Sequence, residues 1–234
     1  MSTSAAVSRP GFFQRLNAFR ERHGSTSAIY KAFDVVLQKA FRTSVHHVVW
    51  LEHNAVESVT ATDPRFVFRF LTADEVEQFA QDPSYYLSPT LAGAIRRGEE
   101  LCFGALAGDR LAAFGCYTVG YVNPQQAAGA AISFPPDVAY MSFGLTHPDF
   151  RGYRLHGLHM GLALQELAKR GITKLVSIVS WTNLASLKSC QRLGYTSIGK
   201  MVTIGGRKHA VGFYPQAASR LGVRFGRKAK RTNS

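Results

Sequence analysis

The sequence predicts an α/β protein with one central mixed sheet and helices on both faces. Three observations predict it. Strand-like and helix-like segments alternate along most of the chain. A strand–turn–helix unit over residues 139–171 runs into a second strand-like segment at 174–180. The 234 residues include 46% hydrophobic and 12% aromatic side chains, enough for one full core with appendages and too many for a globally disordered chain.

Residues 1–10 read as a leader without regular structure. Phe12, Phe13, Leu16 and Phe19 recur at helical spacing over 11–22, and Gly24 is a natural stop. Ile29, Phe33, Val36, Leu37 and Phe41 mark a second amphipathic helix over about 27–42. The run HHVVWLEH at 46–53 is β-branched and aromatic and predicts a strand. After a polar linker at 54–64, Phe66-Val67-Phe68-Arg69-Phe70 alternates as a strand does. Thr72 with Glu75 three residues later is a capping box, opening a helix to about Gln81. Another helix over about 89–97 ends at Gly98. Strands at 101–107 and 111–119 are joined by Gly108-Asp109-Arg110, which has the turn chemistry of a hairpin.

Residues 122–136, rich in Gly, Ala and Pro, read as a loop. Residues 138–146 predict a strand and 148–152 a turn. A helix over 155–170 follows, with Leu155, Leu158, Leu162, Leu164 and Leu167 on its apolar face. The rest reads as a strand at 174–180, a helix at 183–193 stopped by Gly194, and strands at 195–204 and 208–213 around Gly205-Gly206. Three parts follow: a helical extension at 1–45, the main domain at 46–215, and a basic tail without structure at 216–234.

No stretch approaches the roughly 20 apolar residues of a membrane-spanning helix, and the N-terminus lacks the apolar core of a secretory signal. The three cysteines, Cys102, Cys116 and Cys190, are sparse and odd in number, which suits a reducing, cytoplasmic compartment and not a disulfide scaffold. None has C-x-x-C spacing. His156 and His159 lie three apart without a third partner at ligand spacing, so no metal site is expected.

The net charge is +13, and it sits at the two ends. Residues 1–45 hold seven Lys or Arg against Glu21 and Asp34. Glu166 is the last acid, and residues 167–234 hold 14 basic side chains. Such ends favour anionic partners, among them an acidic carrier protein, an anionic membrane surface or nucleic acid. Against nucleic acid, no binding motif appears and aromatics do not interleave with the basic tail, Phe225 apart. The Phe-rich faces of the two N-terminal helices are expected to pack on the core, although such faces beside Arg and Lys also suit the inner surface of a membrane.

The segment AYMSFGLTHPDFRGYRLHGLHMGLALQELAKRG, 139–171, ends a strand at Thr146 and opens a long helix after Arg151-Gly152. Free backbone N–H groups and the positive end of a helix thus gather beside Arg151 and Arg154, an arrangement suited to a pyrophosphate. An ordinary turn with solvated arginines is the alternative. Further on come Asn183, Ser186, Leu193, Gly194 and Tyr195. Together the two segments resemble the GNAT superfamily of CoA-dependent N-acyltransferases. There, P-x-x-R-G-x-G-x-G binds the CoA pyrophosphate and N-x-x-A/S…L-G-F/Y borders the pantetheine arm. Pro148, Arg151 and Gly152 match the first motif, and the likeness covers about residues 66–213. The family's second and third glycines fall on Arg154 and His156, and its frequent catalytic Tyr falls on Cys190.

The resemblance implies a GNAT-like mixed sheet and direct transfer of an acyl group, most simply acetyl, from acyl-CoA to an amine acceptor. It implies donor binding by Gly144, Leu145, Thr146, Arg151, Gly152, Tyr153, Arg154, Leu155, His156, Gly157, Asn183 and Ser186, with N–H groups near Gly144–Thr146 polarising the thioester. Cys190 stands where the family's acid does, or is a buried apolar thiol. The strand 138–146 holds no carboxylate. Tyr140 and Ser142, expected on one face of it, would relay a proton through water, and Glu99 and Glu100 are the nearest carboxylates. Variants of the reading take the acyl group from an acidic carrier protein, or act on an amino-sugar or amino-lipid at a membrane. A basic binding module without catalysis is the competing class.

Overall fold

In the computed structural model, residues 29–30, 32–37, 40–123, 127, 129–205 and 211–226 are described. The expected leader, the helix at 11–22, the first residues of the strand at 208–213 and the tail at 227–234 lie outside them.

Helical residues within 29–41, α1, lead into β1, Thr43–Glu52, which begins three residues before the expected strand. A single 3₁₀ turn, His53–Val56, follows. β2 is Val67–Phe70 and α2 is Ala73–Phe79, opened by the capping box in full: Glu75 N–H donates to Thr72 Oγ1 at 3.2 Å and Thr72 N–H to Glu75 Oε2 at 2.9 Å. α3 is Leu91–Arg96. β3, Glu100–Ala107, and β4, Arg110–Val119, close over Gly108-Asp109, where Gly108 takes φ +62 for the tight turn.

β5, Tyr121–Val122, and β6, Ala131–Ser133, come next. β7, Val138–Thr146, and β8, Lys174–Ser180, fall where the sequence predicts, with α4, Leu155–Ala168, between them. α5, Leu184–Leu193, is capped by the Asn183 side chain, which accepts from Ser186 N–H at 3.2 Å, and ends at left-handed Gly194. β9, Thr196–Ile204, and β10, Val211–Phe213, are followed by α6, Gln216–Arg220, and β11, Arg224–Gly226.

Eight strands form the main sheet in the order β10-β9-β1-β8-β7-β4-β3-β2. Every neighbouring pair is antiparallel except β7 with β8. The N-terminal strand β1 thus lies in the middle of the second half, between β8 and β9. Because side chains alternate, each strand feeds two cores. On one face Val49, Leu51, Phe103, Tyr117, Ala139 and Leu175 pack against Met160, Ala163, Leu164 and Leu167 of α4. Cys102, Phe114 and Cys116 pack on the other face against Val76 of α2 and Leu91 of α3. Each wholly buried Leu stabilises the fold by about 2 kcal/mol.

Three expectations need correction. The loop at 122–136 contains strand residues: β5 and β6 join β11 in a small second sheet, order β11-β6-β5. Val122, Ala130 and Ile132 are wholly buried in it, against the side of the main sheet that carries Trp50 and Val176. The expected tail is not unstructured over 216–226, since Ala218 and Val223 are wholly buried in the same core. The apolar face of α1 does not pack on the core: Ile29, Phe33, Val36 and Phe41 are exposed. No helix among the described residues is long and apolar enough to cross a membrane.

Candidate active site

β7 and β8 pair in parallel only from Val138–Lys174 to Met141–Ser177. Beyond that point β7 stays with β4 to Thr146, and β8 stays with β1 to Ser180. The two strands part, and the backbone groups that would have paired across the gap line an opening instead. A β-bulge sits where they part. Cys116 stands opposite Phe143 and Tyr117 opposite Met141, so Ser142 is the extra residue. Its hydroxyl donates to the Cys116 carbonyl at 3.4 Å.

The opening forms a cleft of about 210 Å³. Ser142, Phe143 and Gly144 of β7 line one side and Ser177–Ser180 of β8 the other. His156 and Met160 of α4 close it, with Asn183, Ser186 and Cys190 from around α5. Gly144 keeps it open, because a Cβ there would lie 2.6 Å from Met141 Cε and 3.5 Å from His156 Cε1. Burial pushes the Cys190 thiol up to about 11, so it stays protonated at neutral pH. Burial also lowers the His156 pKa, which favours a neutral imidazole facing the cleft.

At the mouth lies the turn before α4. It is clamped from outside: Arg110 pairs with Asp149 and stacks over Phe150 at 4.9 Å, while Tyr153 sits 5.6 Å from Phe66 and under the Arg65 guanidinium at 4.7 Å. His147 Nδ1 accepts from Asp149 N–H at 3.3 Å. Gly152 has φ +92 with open space at its Cβ position. Arg154 has φ +57, so the backbone keeps at this position the left-handed form that glycine adopts freely and arginine adopts at a cost of about 1 kcal/mol. No side chain caps α4, which leaves the first-turn N–H groups available. Arg151 and Arg154 are exposed there, without an acidic partner among the described residues.

A second cleft of about 290 Å³ opens on the opposite face of β7. Tyr86, Leu87, Ser88, Thr90 and Leu91 form its wall, with Cys116, Ser142 and Phe143 at its floor. Glu100, at the start of β3, is the one carboxylate among the residues that line it. Ser142 and Phe143 line both clefts, so the bulge is where the two meet.

The structure therefore brings together Ser142, Gly144, His156, Asn183, Ser186 and Cys190, and sets Arg151, Gly152, Tyr153, Arg154 and Gly157 at or beside the α4 N-terminus. Leu145 and Leu155 turn their side chains into the core and offer only backbone. Thr146 ends β7 with its hydroxyl buried. Tyr140 does not join the group. It is 2% exposed, packed beneath the small sheet, and burial raises its hydroxyl pKa. The bulge is the reason, because it breaks the alternation that would have put Tyr140 and Ser142 on one face. The second cleft was not legible in the sequence beyond Glu100 itself, since its lining comes from four separated places in the chain: 86–94, Glu100, Cys116 and Ser142-Phe143. Among the described residues no group of three or more His, Cys, Asp or Glu is placed to hold a metal.

The model of the Acetyltransferase (GNAT) family matches residues 65–195. A GCN5-related N-acetyltransferase-like protein from Streptococcus suis superposes with a TM-score of 0.50 at 13% identity, over 75% of this chain and 66% of that one. A putative acetyltransferase from the GNAT family of Novosphingobium aromaticivorans gives 0.49 at 19%, over 70% and 64%. One from Colwellia psychrerythraea gives 0.48 at 15%, over 69% and 56%. At 13% identity the likeness to the Streptococcus suis protein speaks for the fold alone, and this chain spans less than two thirds of each of those chains. No curated protein matches it in sequence.

Proposed function

The chain belongs to the GNAT acetyltransferase family, and from that premise we propose that it moves an acyl group, most simply acetyl, from acyl-CoA to a primary amine by direct transfer between the two clefts. The observation that carries this reading is the pair of clefts meeting at the bulged Ser142. One is narrow, flanked by unpaired strand edges, and ends at a cationic helix terminus. The other is wider and carries a carboxylate.

The residues present fit acyl-CoA. The uncapped N–H groups at Leu155, His156 and Gly157, with Arg151 and Arg154, suit a pyrophosphate. The open edges of β7 and β8 suit an extended arm carrying amides, which would complete their ladders. Acyl-CoA supplies the acyl group already activated as a thioester.

The chain's own residues do the rest. Glu100 attracts the cationic acceptor and takes its proton, leaving a neutral amine to attack. Backbone N–H groups of the Gly144–Thr146 stretch that face the opening polarise the thioester carbonyl. Cys190, protonated in the first cleft, supplies a proton to the departing thiolate and recovers one from the second N–H of the attacking amine as the amide forms. Ser142, between the clefts, orients the two reactants, and holding them in one geometry supplies much of the rate.

Isothermal titration with CoA, acetyl-CoA and longer acyl-CoAs, followed by thiol release with a panel of primary amines, tests the reading. Binding heat and amine-dependent thiol release are expected. Neither heat nor a thermal shift with any acyl-CoA would overturn it.

A further inference from the structure

Helix α1 is inside out. Its one carboxylate, Asp34, is 1% exposed and accepts from Trp181 Nε1 at 3.0 Å. Ile29, Phe33 and Val36, a single stripe at i, i+4 and i+7, are 70%, 56% and 55% exposed. An amphipathic helix belonging to a domain core turns such a stripe inward. Here Trp181 fixes the opposite orientation, edge-on to Tyr30 at 5.4 Å and to Phe33 at 6.2 Å.

Further exposed apolar residues follow the helix along the chain and at the sheet edge. Phe41 is exposed, and the chain then enters β1, where the Arg42 carbonyl accepts from Gly205 N–H at 3.0 Å and Thr43 stands opposite Ile204. Ile204 stands opposite Val211 on β10, the edge strand. Ile204, Val211 and Phe213 are all exposed. Scattered exposed apolar residues need no explanation, but a run of them along one helix and the adjoining sheet edge marks an interaction surface.

The charge around this run has one sign. Arg42 and Lys200 are exposed on β1's approach and on β9. Residues 1–45 carry seven Lys or Arg against two acids, of which Asp34 is buried, and no acid follows Glu166, so β8, β9 and β10 hold none.

We propose that α1, with the edge formed by Ile204, Val211 and Phe213, docks the protein on an anionic lipid bilayer. The bilayer meets both features together: the acyl boundary takes the stripe and the headgroup phosphates take the cations. A second copy of this chain would bring the same positive charge to the contact. The segment 11–22, with Arg15, Arg20 and Arg22 against Glu21, would as well. Trp181, which seats the helix, is two residues before Asn183, so the docked face lies beside the first cleft.

The test uses the full chain with vesicles of phosphatidylcholine alone or mixed with phosphatidylglycerol. Wild type is expected to sediment with the mixed vesicles at low salt and much less with phosphatidylcholine. The double variant Ile29→Glu, Val36→Glu is expected to partition about tenfold more weakly or worse, with unchanged thermal unfolding because both positions are exposed. An environment-sensitive dye on Val36→Cys reports the face itself, and labelling is selective because Cys102, Cys116 and Cys190 are buried. Its emission is expected to shift to the blue when mixed vesicles are added. Equal sedimentation of wild type and double variant would overturn the proposal. So would a dye already shifted without lipid and indifferent to vesicles, which would mean that the N-terminal segment or a second copy covers the face. Light scattering at the same concentration, with and without residues 1–24, tells those two apart.

Discussion

The Ser142 hydroxyl donates to the Cys116 carbonyl at 3.4 Å, across the bulge that makes Ser142 the extra residue of β7. This contact ties the floor of the wider cleft to the wall of the narrower one at the level where β7 and β8 separate. The proposed chemistry depends on that junction, and on what reaches it from each side.

From the donor side, Arg151→Ala is expected to weaken acetyl-CoA binding by about tenfold or more, the worth of one charge-assisted contact to phosphate. Arg151 is exposed, so thermal unfolding should not change. Calorimetric titration of both proteins checks this, and an unchanged dissociation constant would place the pyrophosphate elsewhere.

From the acceptor side, Glu100→Gln is expected to lower kcat for a primary amine by roughly 10²–10⁴-fold, the usual contribution of a general base. Acetyl-CoA affinity should stay the same, because Glu100 faces the other cleft. Steady-state kinetics beside a donor titration separates the two effects. Equal kcat in the variant would remove Glu100 from the mechanism.

Cys190 gives a prediction in pH. Its thiol is raised to about 11 in the fold, against about 8.5 when unfolded. The folded state's preference for the neutral thiol is therefore fully present below the unfolded value and is lost as pH rises through the folded one. Urea unfolding at a series of pH values should show wild type losing stability relative to Cys190→Ala from about pH 8.5 upward. A difference that does not change with pH would mean the thiol is not buried in solution.

Glu75 gives the opposite sign. Arg69 and the Thr72 backbone hold its carboxyl down to about 2. Its stabilisation is present above the ordinary carboxylate range and disappears as pH falls through about 2. Because the pair is partly exposed, Glu75→Ala should cost only about 1 kcal/mol at neutral pH. The gap to wild type should narrow as the solution is acidified, as read by chemical unfolding.

The C-terminal strand gives a contrast between two truncations. Removing 227–234 leaves every described residue in place and should leave Tm unchanged. Removing 223–234 takes away the buried Val223, and with it Phe225, stacked on Tyr214 at 4.9 Å. A loss of about 3 kcal/mol would lower Tm by roughly 6–12 °C. Equal Tm for both truncations would show that β11 adds nothing to the fold.

How much of this was legible depended on how far each signal reached along the chain. Val138–Thr146 and Lys174–Ser180 are long enough to declare themselves, and Thr72 with Glu75 or Asn183 with Gly194 are local devices that need no tertiary partner. β5 and β6, of two and three residues, are too short to show a period, and the Gly, Ala and Pro residues between and after them read as loop. Tyr140 was placed with Ser142 by simple alternation, which holds only without a bulge, and nothing in FGLT or its neighbours announces one. α1 was read correctly as amphipathic. Its orientation was not legible, because it rests on long-range contacts of Trp181 with Asp34, Tyr30 and Phe33.

The measurement that tests the central claim most directly is a crystal structure of the protein with CoA bound. The account predicts the pyrophosphate at the N–H groups of Leu155–Gly157 beside Arg151. It predicts the pantetheine arm between the parted ends of β7 and β8, and the sulfur next to Ser142 and Cys190, facing the cleft that holds Glu100. CoA density anywhere else on the chain, or a sulfur closed off from the Glu100 cleft, would contradict it.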